Sequence, residues 1–285
     1  MPFFTDLALS ARAKTARIAS LGLLVAVLAG CASTPTTSPD TAEPKNTTSP
    51  GTAEPKNAAS PNAAGPKNMA SDGIVLTGNS GTIVATRTDA IPTGGAPTAT
   101  ARNTSSTTAQ IVTYVDYLCA YCGQFDKTNS DLLQSLVSSG AATLEIHPIA
   151  ILDQASSGTN YSQRAASAAG CVAEAAPDRF FAFSTALFAQ QPSEYSTGLT
   201  DAQLTDLAAE SGAENVADCI TSHRFARWVV DATQRAINGP LPNSNIPRLR
   251  GTPTIIVNGK QYTGPLNSVT QFKAYIDQVR SSSGG

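Results

Sequence analysis

Gln110-Ile111-Val112-Thr113-Tyr114-Val115-Asp116-Tyr117-Leu118-Cys119-Ala120-Tyr121-Cys122 is the stretch from which the rest of the chain is read. Residues 110–115 form a short β-branched run, as a buried strand requires. Directly after Cys119 the period becomes helical. Phe125, Leu132, Leu133, Leu136 and Val137 recur at i, i+7, i+8, i+11 and i+12, one face of a helix. Gly140 is the natural stop of that helix. Two cysteines with two residues between them therefore sit where a strand ends and a helix begins. A sulfur at a helix N-terminus faces unpaired backbone N–H groups and the positive end of the helix dipole. Both favour thiolate over thiol, so Cys119 should be acidic and nucleophilic. Cys122 lies one turn deeper, placed to attack a mixed disulfide formed at Cys119.

Downstream, residues 142–151 read as a second strand of the same sheet. Residues 160–238 are mostly helical, with alanine-rich stretches at 161–176 and 201–211. Thr200-Asp201-Ala202-Gln203 has the form of a capping box, flanked by Leu199 and Leu204 as a hydrophobic staple. A further helix carries Phe225, Trp228, Val229, Ala232 and Ile237. Thr254-Ile255-Ile256-Val257 is again a strand, and Asn258-Gly259 turns it into Gln261-Tyr262-Thr263. A last helix, 268–280, places Val269, Phe272, Ile276 and Val279 on one face. Upstream, residues 73–77 and 82–86 flank Gly78-Asn79-Ser80-Gly81, a hairpin signal, and a Pro/Gly/Thr-rich loop follows at 91–108. A sheet covered by helices, with helices inserted between its strands, is an α/β architecture.

The N-terminal quarter is of another kind. Arg12, Lys14 and Arg17 precede the apolar run Ile18–Leu28, eleven residues long. Crossing a bilayer takes about twenty, so the run reads as the core of an export signal. Leu28-Ala29-Gly30-Cys31 resembles the bacterial lipobox, in which the cysteine is diacylated and becomes the first residue of the mature chain. The alternative is a plain signal peptide with a chance cysteine. Thr41-Ala42-Glu43-Pro44-Lys45-Asn46 recurs eleven positions later as residues 52–57, and decays to Gly65-Pro66-Lys67-Asn68. Scarcely any large apolar residue occurs there, so the segment reads as a solvated tether. The divisions expected are a signal peptide at 1–30, a tether at 31–72, a hairpin and loop at 73–108, a core at 109–152 with 248–282, and a helical insertion at 153–247. A formal net charge of −2 argues against a nucleic-acid partner, which demands a basic surface.

The second chemical element is Arg250-Gly251-Thr252-Pro253-Thr254, immediately before a strand. With the CxxC after the first strand and the helical insertion, it makes residues 108–282 resemble the DsbA-like branch of the thioredoxin superfamily. The resemblance implies a thioredoxin-like sheet with an inserted helical domain, which the small hairpin read at 73–86 precedes. It also implies a cis peptide bond at Pro253, and a loop in which Thr252 and Pro253 present backbone to a substrate peptide beside Cys119. The strongly oxidising members carry a histidine between the cysteines. Here that dipeptide is Ala120-Tyr121, with no cation.

Other readings stay open. The cysteine pair could be an inert disulfide or part of a metal site, although only His147 and His223 exist as further imidazole ligands. Cys171 and Cys219 are the other candidate pair, structural or acting as an electron relay. Asp116 could move a proton to or from Cys122, or be a solvated strand-end carboxylate. Tyr121 could contact substrate or pack on the fold. His147 reads as a core histidine before a proton carrier, and Arg248 and Arg250 as loop arginines. The leading expectation is an extracytoplasmic, lipid-anchored enzyme that forms disulfides in exported proteins. It would need no cofactor and no metal, and would be reoxidised by a membrane partner, for which a quinone-linked one is an option. A reductase or isomerase with the same atoms, or a wall-associated binding lipoprotein, are the alternatives.

Overall fold

The computed structural model describes residues 62–102 and 108–282. The expected signal peptide, Cys31 and the tether as far as residue 61 lie outside the described residues. In chain order the elements are β1 (Ile74–Asn79), β2 (Thr82–Ala85), β3 (Ala109–Val115), α1 (Ala120–Ser138), β4 (Ala142–Pro148), α2 (Tyr161–Ala175), α3 (Phe180–Ala189), α4 (Asp201–Glu210), α5 (Ala217–Thr221), α6 (Ala226–Asn238), β5 (Thr254–Val257), β6 (Lys260–Gln261) and α7 (Val269–Ser282).

β3 and β4 are parallel partners joined through α1, and every other pairing is antiparallel, in the order β2-β1-β4-β3-β5-β6. This is an α/β sheet of thioredoxin type. The N-terminal hairpin is continuous with it, because β1 pairs with β4 from Ile74↔Ile146 to Leu76↔Leu144. β3 alternates as the sheet period demands. Ile111 and Val115 turn to the core shared with α1 and α7, whereas Tyr114 joins Ile149, Leu241 and Ile256 on the opposite face.

α1 stops as expected: Gly140 has φ +76°, and its N–H donates to the Val137 carbonyl at 2.9 Å. Its buried line is Cys122, Phe125, Asn129, Leu133 and Val137, with Leu132 and Leu136 only partly covered. Asn129 takes a core place because its amide donates to the Leu266 carbonyl at 3.1 Å, tying α1 to the segment before α7. On α7, Phe272, Ile276 and Val279 are buried, but Val269, at the first turn, is exposed. On α6, Ala236 is buried in place of the expected Ile237. β6 spans two residues, shorter than the strand read at 261–263. The Asn258-Gly259 turn has positive φ at both positions, as a type I′ hairpin requires.

Between β4 and β5 the helices pack around α2, whose alanines and Gly170 allow close approach; a Cβ at Gly170 would lie 3.2 Å from Phe225. Thr200 and Gln203 form the capping box that starts α4. Cys171 of α2 and Cys219 of α5 are joined by a disulfide across 48 positions. On the chain-entropy model such a closure contributes about 4 kcal/mol by restricting the unfolded chain.

One boundary differs from the compositional reading. Residues 62–72 are folded against the domain, not part of a tether. The Ala63 N–H donates to Asp231 at 2.8 Å and the Asn68 amide to the Ala173 carbonyl at 2.8 Å. Met69 is fully buried, and Asp72 pairs with Arg235 at 2.7 Å and accepts from the Trp228 indole N–H at 3.0 Å. The last, decayed repeat copy is thus built into the fold. Ala173, Trp228, Asp231 and Arg235 lie more than 100 residues away, so local composition carried no sign of them.

Candidate active site

Cys119 is the N-cap of α1, in extended conformation. The strand before it ends because Asp116 turns the chain: its Oδ1 accepts from the Leu118 N–H at 2.9 Å, and its carbonyl from the Cys119 N–H at 3.0 Å. Both sulfurs are reduced and largely covered, Cys119 at 5% exposure and Cys122 at 1%. Across from them the Thr252–Pro253 peptide is cis, and the Cys119 thiol donates to the Thr252 carbonyl at 3.2 Å. The loop expected to present backbone beside the nucleophile is there.

The two sulfurs are electrostatically unequal. A hydrogen bond from the Cys122 thiol is the largest influence on Cys119. Burial opposes it, and the Thr252 side chain and the backbone N–H groups of Cys122 and Tyr121 add to it. Together they lower Cys119 from the ordinary thiol range to about 6. The Thr252 hydroxyl is buried and otherwise without a partner, so it is available to donate once the thiol proton has gone. None of these groups is a cation, and Arg248 and Arg250 are exposed. Cys122 moves the other way: burial first, then its hydrogen bond to Cys119, raise it well above the thiol range. At neutral pH one sulfur is a thiolate and the other holds its proton.

Two residues that the sequence did not point to brace this site. The Gln191 amide donates to the carbonyls of Tyr117 at 3.1 Å and Cys119 at 2.9 Å. It passes so close that a Cβ on Gly123 would fall 2.0 Å from its Oε1, so a side chain there would displace Gln191. Glu194 accepts from the Ala120 N–H at 3.1 Å, capping α1 from outside. Both come from the loop after α3, about 70 residues away, and no local signal marks them.

The remaining candidates separate. Tyr121 is 65% exposed beside Cys119, so it does not pack on the fold. Asp116 is fully buried, not solvated. Its Oδ1 accepts from the Leu118 N–H and the Ser162 hydroxyl, and its Oδ2 from the N–H groups of Ile151 and Leu152. Burial raises it to about 6 against those four bonds. With two donors on each oxygen, the carboxylate is committed to holding the loop after β4. His147 stacks on Tyr114 with ring centroids 4.3 Å apart and bonds Glu145 at 3.1 Å, on the sheet face away from the thiols. His223 pairs with Asp201 in the helical block. Among the described residues no group of three or more His, Cys, Asp or Glu is arranged to hold a metal. The same residues contain no helix long and apolar enough to cross a membrane.

A family model described as Thioredoxin matches residues 98–278. Among solved structures, reduced DsbA from Mycobacterium tuberculosis is 29% identical, covering 75% of this chain and 98% of that one with a TM-score of 0.55. Reduced DsbG from the same organism is 33% identical, covering 62% and 83% with a TM-score of 0.52. The serine/threonine-protein kinase PknE of M. tuberculosis is 36% identical over 110 residues, 37% of this chain, and the chain spans only 19% of that kinase's length.

Replacing Cys122 by alanine removes the largest stabiliser of the Cys119 thiolate. The pH midpoint of Cys119 alkylation should then climb from about 6 toward the free-thiol value of about 8.5. A midpoint left near 6 would show that the helix end and Thr252 suffice without Cys122.

Proposed function

The chain belongs to the thioredoxin family, and we propose that within it this protein is a thiol–disulfide oxidoreductase that forms disulfides in exported proteins. The observation that carries the reading is the split between the sulfurs, Cys119 lowered to about 6 and Cys122 raised. In the oxidised enzyme a substrate thiolate attacks the Cys119 sulfur, the Cys119–Cys122 bond breaks, and Cys122 leaves. The product is a mixed disulfide between Cys119 and the substrate. A second substrate thiolate then attacks the substrate sulfur of that bond, and Cys119 departs as a thiolate. A low leaving-group pKa speeds this last step, and a stabilised thiolate favours the reduced enzyme, which makes the disulfide oxidising. The absence of a histidine between the cysteines is offset here by neutral donors: Cys122, Thr252 and the α1 backbone.

Substrate would lie along Thr252 and Pro253 as an extended peptide, with Tyr121 on the exposed rim. Tyr195, 78% exposed, directly follows the capping Glu194 and would extend that rim. The Cys171–Cys219 bond supports an extracytoplasmic setting, since such bonds persist where thiols are not kept reduced. The basic and apolar N-terminus and Cys31 support export and a lipid anchor, which would bring the enzyme to a membrane partner able to reoxidise it.

Equilibration with glutathione tests the direction. An oxidase requires a potential nearer the value of about −120 mV of strong oxidants than the value of about −270 mV of thioredoxin, and the latter result would assign a reductase. Cys31→Ala should move the protein from the membrane to the soluble fraction; an unchanged membrane share would remove the anchor.

A further inference from the structure

On the sheet face away from the thiols, a cavity of about 470 Å³ lies between β3, the end of β4, α6 and the segment that follows α6. Ile149, Ala232, Ala236 and Leu241 form its buried apolar floor, and Pro240 and Pro242 stand exposed at its mouth. That is the size and character of a small-molecule site. Two buried polar side chains open into it. Tyr114 is 4% exposed, and its hydroxyl makes no hydrogen bond among the described residues. The hydroxyl is not sealed within protein either, so it opens to the cavity. His147, as deeply buried, stacks on the Tyr114 ring with centroids 4.3 Å apart. Its Nε2 faces the Glu145 carboxylate at 3.1 Å, and its Nδ1 has no partner among the described residues. With Nε2 donating to the carboxylate, Nδ1 of the neutral ring is an acceptor. An unpaired donor and an unpaired acceptor thus lie together in an apolar space, a costly arrangement that a ligand would relieve.

We propose that this cavity binds an uncharged ring compound bearing a hydroxyl, a phenol or a cyclic alcohol, whose oxygen accepts from the Tyr114 hydroxyl and donates to His147 Nδ1. The site is separate from the cysteine pair and does not rest on the dithiol reading. Charge selects a neutral ligand. Asp72 already holds Arg235 at 2.7 Å and accepts from the Trp228 indole N–H at 3.0 Å. Glu145 accepts from the hydroxyls of Ser71 at 2.5 Å and Thr100 at 2.9 Å. Neither carboxylate is free to pair with a cation, and two of them against one guanidinium repel an anion. Burial, followed by the charges of Glu145 and Asp72, raises Tyr114 far above the ordinary phenol range, so its hydroxyl stays protonated and can donate. The ring of the ligand would displace water from Ile149, Ala236 and Leu241, which supplies most of the affinity. The paired hydrogen bonds set which ring compounds are held.

Three probes that share one ring system test this: 2-naphthol, naphthalene and 2-naphthoate, each titrated into the protein by equilibrium dialysis. Naphthol should bind about 10-fold more tightly than naphthalene, the worth of one well-placed hydrogen bond, and naphthoate more weakly than naphthol by at least as much. Tyr114→Phe keeps the ring and its stacking on His147 but removes the donor. In that variant naphthol should fall by about 10-fold, to the level of naphthalene, while naphthalene itself is unchanged. The pH midpoint of Cys119 alkylation should be the same in wild type and variant, since the cavity lies on the other face of the sheet. No binding of naphthol at millimolar concentration would overturn the proposal. So would naphthol binding that Tyr114→Phe leaves untouched, which would place the ligand elsewhere, or naphthoate binding as tightly as naphthol, which would make the site an anion site. Should the variant not fold, nuclear Overhauser contacts in wild type saturated with naphthol decide. Contacts from the ligand to the methyl groups of Ile149, Ala236 and Leu241 support the site, and contacts confined to other residues overturn it.

Discussion

The coupling between the sulfurs of Cys119, at the open end of α1, and Cys122, one turn deeper, is the interaction on which the other features converge. It stabilises a negative charge on one sulfur by keeping the proton on the other, so a pair of identical side chains becomes a nucleophile and a reserve. Each neighbouring element maintains this asymmetry. β3 ends at Val115, and the turn at Asp116 makes Cys119 the first residue outside the helix. The Thr252–Pro253 loop closes over the sulfur, and Gln191 and Glu194 hold the helix end from the other side. The insertion between β4 and β5 is therefore part of the site, because it supplies both of those side chains.

Local pattern accounted for what is local. The strand-to-helix junction at 115–120, the helix stop at Gly140, the capping box at Thr200 and the Asn258-Gly259 turn each depend on residues within a few positions of one another. The sequence also carried Thr252 and Pro253, through family resemblance. It could not carry Gln191 or Glu194, whose partners lie in another element, nor the packing of residues 62–72 on Asp231 and Ala173. Asp116 illustrates a different limit. A strand-end aspartate looks solvated until the backbone of residues 151 and 152 folds over it.

Asp116 and Asp126 are enclosed in different ways. Asp116 is enclosed but fully hydrogen-bonded, and the loop after β4 hangs on it. Asp126 has an oxygen shut away with no donor, a cost that packing alone does not explain. Across the sheet, His147, Tyr114, Glu145 and Ser71 form a buried polar set on the other face. Its hydrogen bonds fasten the N-terminal segment to β4, which is a structural service.

Thiolate absorbance followed against pH in the reduced, otherwise unaltered protein probes the central asymmetry most directly. One thiolate should appear with a midpoint of about 6 and a second only well above the ordinary thiol range. Two sulfurs titrating together at about 8.5, like free cysteine, would contradict it.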